Sequence, residues 1–368
     1  MAKRTLVNIF YSCLALLILS SCTVGRFFIY NFADVKDYKK FPSRTLNAPE
    51  EAFTFHEVDS MKGPKSVTVK GVEVPWGEFL EENKTVAFMI IRNDSILYEE
   101  YFNKYDETSI VPSFSMAKSV TSMLIGCAIE DGLIASVNDP VANYIPEMAE
   151  NGFDKVTIEH VLQMTTGLDF NESYVNPFGT VAKFYYGRNL PKYVRKLELE
   201  AEPGTRWQYV SGDTQILVDI LDGVLTDETV TQYLERKIWQ PLGMEYDASW
   251  SLDKKDGIEK GFCCINARAR DFAKLGRLYL NNGNWDGTQI VPEAWVEKST
   301  AVDTTNKSVW FYQYQWWKEK KNDDFYAEGI LGQFVYVSPD NNFIAVRLGK
   351  NYGEVSWSTL MQGLSEKY

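Results

Sequence analysis

Val86-Ala-Phe-Met-Ile-Ile-Arg92 and Asp94-Ser-Ile-Leu-Tyr-Glu-Glu-Tyr101 are two apolar runs set around an Asn93-Asp94 turn. Runs rich in β-branched and aromatic residues on either side of such a turn read as a β-hairpin. The arrangement returns near the other end of the chain. Gln333-Phe-Val-Tyr-Val-Ser338 is followed by the turn Pro339-Asp-Asn-Asn342 and then by Phe343-Ile-Ala-Val-Arg-Leu348. Between these pairs the chain reads mainly helical. After Ser115 the apolar residues Met116, Ala117, Val120, Met123, Leu124, Cys127 and Ala128 follow a helical period. Further helices are expected near 157–164, 178–198, 212–223, 228–237 and 269–281, with a closing helix between Ser356 and Tyr368. Strands at both ends with helices between them imply an α+β fold. Its antiparallel β-sheet is assembled from N- and C-terminal pieces and flanked by helices. A mostly helical subdomain, roughly 130–260, is inserted.

Composition narrows the function. The chain has 368 residues, 45% of them hydrophobic and 24% charged, which excludes a disordered or low-complexity chain. Its formal net charge of −12 makes it a poor ligand for nucleic acid or an anionic membrane surface. Five cysteines in this length do not make a disulfide scaffold. Cys127 lies in an apolar helical run and reads as a small core residue. The adjacent Cys263 and Cys264 read as packing residues, because neighbouring positions fit disulfide geometry badly. His56 and His160 are the two histidines, far apart in sequence. No Cys/His/Asp cluster has metal-ligand spacing, and so few histidines argue against a His-based catalytic triad. No metal and no organic cofactor are expected, and a monomer is.

The N-terminus reads as an export signal. Lys3 and Arg4 precede an apolar stretch from about Leu6 to Leu19, interrupted by Asn8 and Ser12. It falls short of the roughly 20 apolar residues of a membrane span and fits a secretory signal. It ends in Leu19-Ser20-Ser21-Cys22, which resembles a bacterial lipoprotein signal, with Cys22 the lipidated new N-terminus. An uncleaved anchor, or a plain signal peptide with an incidental cysteine, is the alternative. On the lipoprotein reading residues 1–21 are the signal peptide and 22–50 a tether. The rest, 51–368, would be an extracytoplasmic domain held at the cell envelope through its lipid.

Chemistry enters at Pro112-Ser-Phe-Ser115-Met-Ala-Lys118-Ser119. A Ser-x-x-Lys at a helix start puts the two side chains on one face, with Cβ atoms roughly 5–6 Å apart. A serine hydroxyl needs a base to become a nucleophile, and a buried lysine can act as one. The serine's own N–H, at the helix start, is free to face a developing oxyanion. A helix cap followed by a surface lysine is the rival reading of Ser115 and Lys118. Ser251-Leu-Asp-Lys254 repeats the letters, but it lies in a polar, turn-like stretch and reads as a solvated coincidence.

Two further segments change the weighting. Glu202-Pro-Gly-Thr-Arg-Trp207-Gln-Tyr209-Val-Ser211-Gly-Asp213, together with Ser115-x-x-Lys118, resembles the serine β-lactamase and penicillin-binding-protein superfamily. The likeness is to its class C-like branch of D-alanyl-D-alanine carboxypeptidases, esterases and 6-aminohexanoate-dimer hydrolase. Tyr209-Val-Ser211 matches that family's second motif, in which the phenol shuttles a proton to the leaving group. Phe325-Tyr-Ala-Glu328-Gly329-Ile330-Leu331-Gly332-Gln333 resembles the third motif, a glycine-rich strand edge facing the nucleophile. The Ile330 N–H would then be the second oxyanion donor beside that of Ser115. Tyr174, Ser211, Gly329 and Gly332 are candidates for substrate binding. Asp169, Glu172, Trp316 and Trp317 are candidates for the rim. Met164-Thr-Thr-Gly-Leu168, Trp239-Gln-Pro-Leu-Gly-Met244 and Asn266-Ala-Arg-Ala-Arg-Asp271 resemble further landmarks, which extends the likeness over roughly 80–350.

The third motif departs from the family. Ile330 stands where the family has Lys or His, and Leu331 where it has a small residue. No cation there grips a substrate carboxylate, unless Arg347 on the next strand compensates. The resemblance therefore implies a serine hydrolase that forms an acyl-enzyme with a small-molecule or peptide-like ester or amide. Ser115, Lys118 and Tyr209 would be catalytic. A peptidoglycan D-Ala-D-Ala carboxypeptidase or β-lactamase is the alternative within the fold, and a non-catalytic tethered binding protein the alternative outside enzymes.

Overall fold

The computed structural model describes residues 23–30, 32–60 and 62–368. The expected signal peptide, 1–21, and Cys22 lie outside the described residues. Helix α1, Thr23–Tyr30, opens the described chain, followed by strands β1 (Ser43–Leu46) and β2 (His56–Glu57). The first expected hairpin forms as β3 (Thr85–Arg92) and β4 (Ser95–Tyr101). Asn93 and Asp94 both take positive φ, 50° and 58°, as a two-residue turn matched to the strand twist requires. β3 is apolar from Val86 to Ile91 because both its faces are covered. Val86, Met89 and Ile91 enter the main core, while Phe88 and Ile90 enter a second core on the other side.

A two-residue strand, β5 (Val111–Pro112), leads into α2 (Met116–Glu130). The middle of the chain supplies α3 (Thr180–Tyr186), α4 (Ser211–Val224), β6 (Ala248–Ser251), β7 (Ile265–Ala267) and α5 (Ala269–Leu280). The C-terminal strands are β8 (Tyr312–Gln313), β9 (Trp316–Lys318), β10 (Phe325–Gly329), β11 (Gln333–Ser338) and β12 (Phe343–Gly349). The closing helix is α6 (Trp357–Ser365).

The eight-stranded sheet runs β8-β9-β10-β11-β12-β3-β4-β2. The two ends of the chain meet at β12 and β3, where Val346 faces Met89 and Ala345 faces Ile90. Phe272, Leu275 and Leu278 of α5 share the main core with Val335, Val337 and Ile344. Trp357, Met361 and Leu364 of α6 join Phe88 and Tyr336 on the opposite face. This is the expected α+β arrangement of sheet between helices.

Several details differ from expectation. The edge strand β2 pairs with β4 in parallel, so the sheet is not wholly antiparallel. A second sheet, β1-β6-β7-β5, is built from strands of two to four residues, too short to leave a periodic signal. The helix expected over 178–198 is broken. α3 stops before Gly187, and a separate helix, Leu190–Val194, begins with Asn189 as its cap and a proline in its first turn. Within the expected tether, α1 packs on α3 and β1 pairs with β6. Ser251, Leu252 and Asp253 are buried rather than solvated. Asp253 accepts N–H bonds from Leu190 and Ile258 there, which removes its need for water.

Candidate active site

Ser115 sits at the exit of a strained turn. β5 ends at Pro112, α2 starts at Met116, and Phe114 between them has φ of 45°, where a bulky residue is costly. The turn is pinned on both sides. The Ser113 N–H donates to the Ile265 carbonyl at 2.7 Å, and the Ile265 N–H donates to the Ser113 hydroxyl at 3.1 Å. Ser115 emerges onto the wall of a cavity of about 290 Å³.

Lys118 lies one turn further on, 1% exposed. Its Nζ donates to Ser211 Oγ and to the Phe262 carbonyl, each at 3.0 Å. Among the described residues no hydrogen bond joins Lys118 Nζ to the Ser115 hydroxyl, so the helical spacing brings the two side chains near without pairing them. The long stem reaches past the serine to acceptors on α4 and on the chain before β7. Burial pushes the ammonium down to about 8, while Glu172 and Asp213 pull it back up.

Tyr209 stands beside both. Lys118 Nζ is 5.1 Å from the centre of its ring, and the Ser115 side chain lies near enough to its phenol to lower its pKa. Burial raises the phenol above its ordinary value, Glu172 adds to this, and the nearby Ser115 side chain opposes it. Trp317 stacks on the ring at 5.6 Å and Tyr312 meets it edge-on at 5.8 Å. Ser211, the first residue of α4, gives its hydroxyl to Glu172 Oε1 at 2.6 Å and its N–H to Glu172 Oε2 at 2.8 Å. A carboxylate suits a helix N-terminus. Tyr174 donates to the same carboxylate at 2.8 Å. Tyr209, Lys118, Ser211, Glu172 and Tyr174 are thus one connected group. Asp213 is buried beside it, accepts from Thr166 at 2.8 Å, and is pushed well up by burial.

The end of β10 lies against the serine turn. A Cβ on Gly329 would fall 2.3 Å from the Ser113 carbonyl and 3.1 Å from the Ser115 nitrogen, so only glycine allows this approach. Ile330 follows and shares the cavity wall with Ser115. Among the described residues, neither the Ser115 N–H nor the Ile330 N–H donates a hydrogen bond. Two free donors beside a hydroxyl suit an oxyanion.

Other candidates go elsewhere. Gly332, with φ of 81°, makes room for the Arg347 guanidinium, 2.0 Å from where its Cβ would be. It is not on the cavity wall. Arg347 does not compensate for the missing cation, nor is it on the surface. It is fully buried and donates to the carbonyls of Gly332 at 2.6 Å, Asn83 at 2.8 Å and Asn351 at 2.9 Å. Its plane stacks 3.7 Å from the Trp357 ring. Trp316 is a core residue, and Asp169 borders a different hollow.

Cys263 and Cys264 correct the reading of them as packing residues, for they are joined by a disulfide. Cys264 takes φ of 77°, and this turn sets neighbouring side chains on one side in a way ordinary extended or helical backbone does not. Cys263 lies on the cavity wall, next to the carbonyl that holds Lys118. Cys127 is buried as expected.

Reading the sequence alone misses Asp213, the Phe262 carbonyl, Phe32 and Ala33. A charged residue inside the apolar period of α4 was the available signal for Asp213. Nothing local marks the other three.

Comparison with known proteins follows the same lines. The sequence profile of the beta-lactamase family matches residues 78–354. The 6-aminohexanoate-dimer hydrolase of Paenarthrobacter ureafaciens is 28% identical over 291 residues, covering 73% of each chain. A solved Bacillus anthracis structure, named as a candidate 6-aminohexanoate-dimer hydrolase, superposes with a TM-score of 0.80 at 23% identity. It covers 90% of this chain and 92% of its own. A family VIII carboxylesterase gives a TM-score of 0.60 at 17% identity, covering 75% and 89%. At such identities the two structures speak for the fold alone.

Proposed function

The chain belongs to the beta-lactamase family, and from that premise we propose that it is a serine hydrolase working through an acyl-enzyme on an uncharged ester or amide. A relative named as a 6-aminohexanoate-dimer hydrolase supports hydrolysis over binding alone. The observation that carries the reading is the meeting of four groups at Ser115: a lysine with depressed pKa, a half-buried phenol and two unengaged backbone N–H donors.

The Ser115 hydroxyl attacks the substrate carbonyl and its proton passes to Tyr209, as Tyr209 releases its own toward neutral Lys118. The tetrahedral oxyanion is held by the N–H groups of Ser115 and Ile330. As the intermediate collapses, the leaving alcohol or amine takes the proton back from Tyr209, which Lys118 replenishes. Water then enters, loses a proton along the same route and releases the acid. Glu172 holds Ser211, and Ser211 holds Lys118, so the carboxylate positions the base.

The lack of a charged side chain on the described cavity wall and the engagement of Arg347 with backbone carbonyls favour neutral substrates over peptidoglycan carboxylates. Turnover of p-nitrophenyl butyrate, nitrocefin and a D-alanyl-D-alanine muropeptide by the purified protein tests this. Hydrolysis of the ester without D-alanine release is expected. D-alanine release would move the reading to a peptidoglycan peptidase, and silence with all three would overturn hydrolysis.

A further inference from the structure

We infer that the N-terminal segment closes the cavity with Phe32 and Ala33, so that the site takes an uncharged, apolar acyl group whose length this segment limits. The inference rests on the acyl-enzyme reading above and names the group that the enzyme accepts.

Four observations lead there. Ser115, Ile330, Val181 and Ala182 of α3, Phe32 and Ala33 all line one cavity. No charged side chain lies on its described wall, and at about 290 Å³ it is at the small end for ligand sites. Tyr209, which protonates the leaving group, is not on that wall. The leaving group therefore departs on the Tyr209 side, and the apolar cavity is left to the acyl side.

The closing wall is held in place. The Tyr185 hydroxyl donates to Asp37 Oδ2 at 2.6 Å, and the Phe27 ring meets Tyr186 edge-on at 5.3 Å. The nearby cations face away from the cavity. Lys260 donates to the Tyr185 carbonyl and sits 3.3 Å from the centre of the Phe41 ring. Arg26 Nε donates to the Tyr186 carbonyl at 2.5 Å. Phe32 and Ala33 also precede the family match, which begins at residue 78. These two wall residues lie outside the stretch that the family profile matches.

The test is an acyl series of p-nitrophenyl esters, acetate to decanoate, with wild type, Ala33→Trp and Phe32→Ala. Ala33→Trp fills the end of the cavity and should lower the hexanoate-to-acetate ratio of kcat/KM by about tenfold, since one methylene in an apolar pocket is worth that much. Phe32→Ala should raise the decanoate-to-hexanoate ratio. Phe32 is 54% exposed, so this variant keeps the test alive if the tryptophan variant does not fold. Ester hydrolysis with the wild-type chain-length profile in both variants overturns the inference. Binding of hexanamide to Ser115→Ala, followed by NMR saturation transfer, separates the site from the chemistry. Binding that Ala33→Trp abolishes supports the acyl site even if no ester is cleaved, in which case only the hydrolase reading falls. Absence of hexanamide binding to Ser115→Ala overturns the acyl site.

Discussion

Lys118 sets the pH dependence. It accepts a proton only when neutral, and burial brings its pKa to about 8. kcat/KM should therefore climb as pH rises through about 8. Glu172 holds that pKa up, so Glu172→Gln should move the climb to lower pH while also lowering kcat through the loosened Ser211. A pH–rate profile checks both, and an unmoved midpoint in Glu172→Gln contradicts the network. Ser115→Ala should reduce turnover by about a thousandfold or more with an unchanged melting temperature, because the nucleophile has no substitute. The letters Ser-x-x-Lys and Tyr-x-Ser made three of these residues legible. The same letters did not show that Lys118 bonds Ser211 and the Phe262 carbonyl instead of Ser115, because a flexible four-carbon stem reaches partners no spacing rule names.

At the level of elements, the contact between β10 and the serine turn holds the oxyanion donors together. Gly329→Ala puts a Cβ 2.3 Å from the Ser113 carbonyl. It should lower stability by about 1–3 kcal/mol and reduce kcat more than it raises KM, read by urea melts and steady-state kinetics. Arg347 ties β12 to the chain around Asn83 and Asn351. Arg347→Met strands those carbonyls and should cost about 3 kcal/mol, with the acyl-chain preference unchanged by the loss of its charge. Long periodic elements such as α2, α4, α5 and the two hairpins were legible because burial on fixed faces writes a pattern into sequence. The short second sheet and the break at Gly187 were not, since a few residues carry no period. The Cys263–Cys264 link depends on one left-handed residue, which neighbouring letters do not reveal.

Across the whole molecule, the chain ends meet at β12 and β3 to make one sheet, and the middle segments deliver Lys118, Tyr209 and Ser211 to its edge. That architecture was legible from the placement of the hairpins alone. The packing of residues 23–50 was not. The mixture of aromatic and charged residues there has no periodicity, although Phe27, Val35 and Leu46 are buried. The most direct test of the mechanism is to mix the full-length protein with p-nitrophenyl butyrate, quench in acid within a turnover and map the adduct by peptide mass spectrometry. A butyryl group on Ser115, absent in Ser115→Ala, is predicted. Ester hydrolysis that proceeds equally in Ser115→Ala, or an acyl group mapped to another residue, would contradict it.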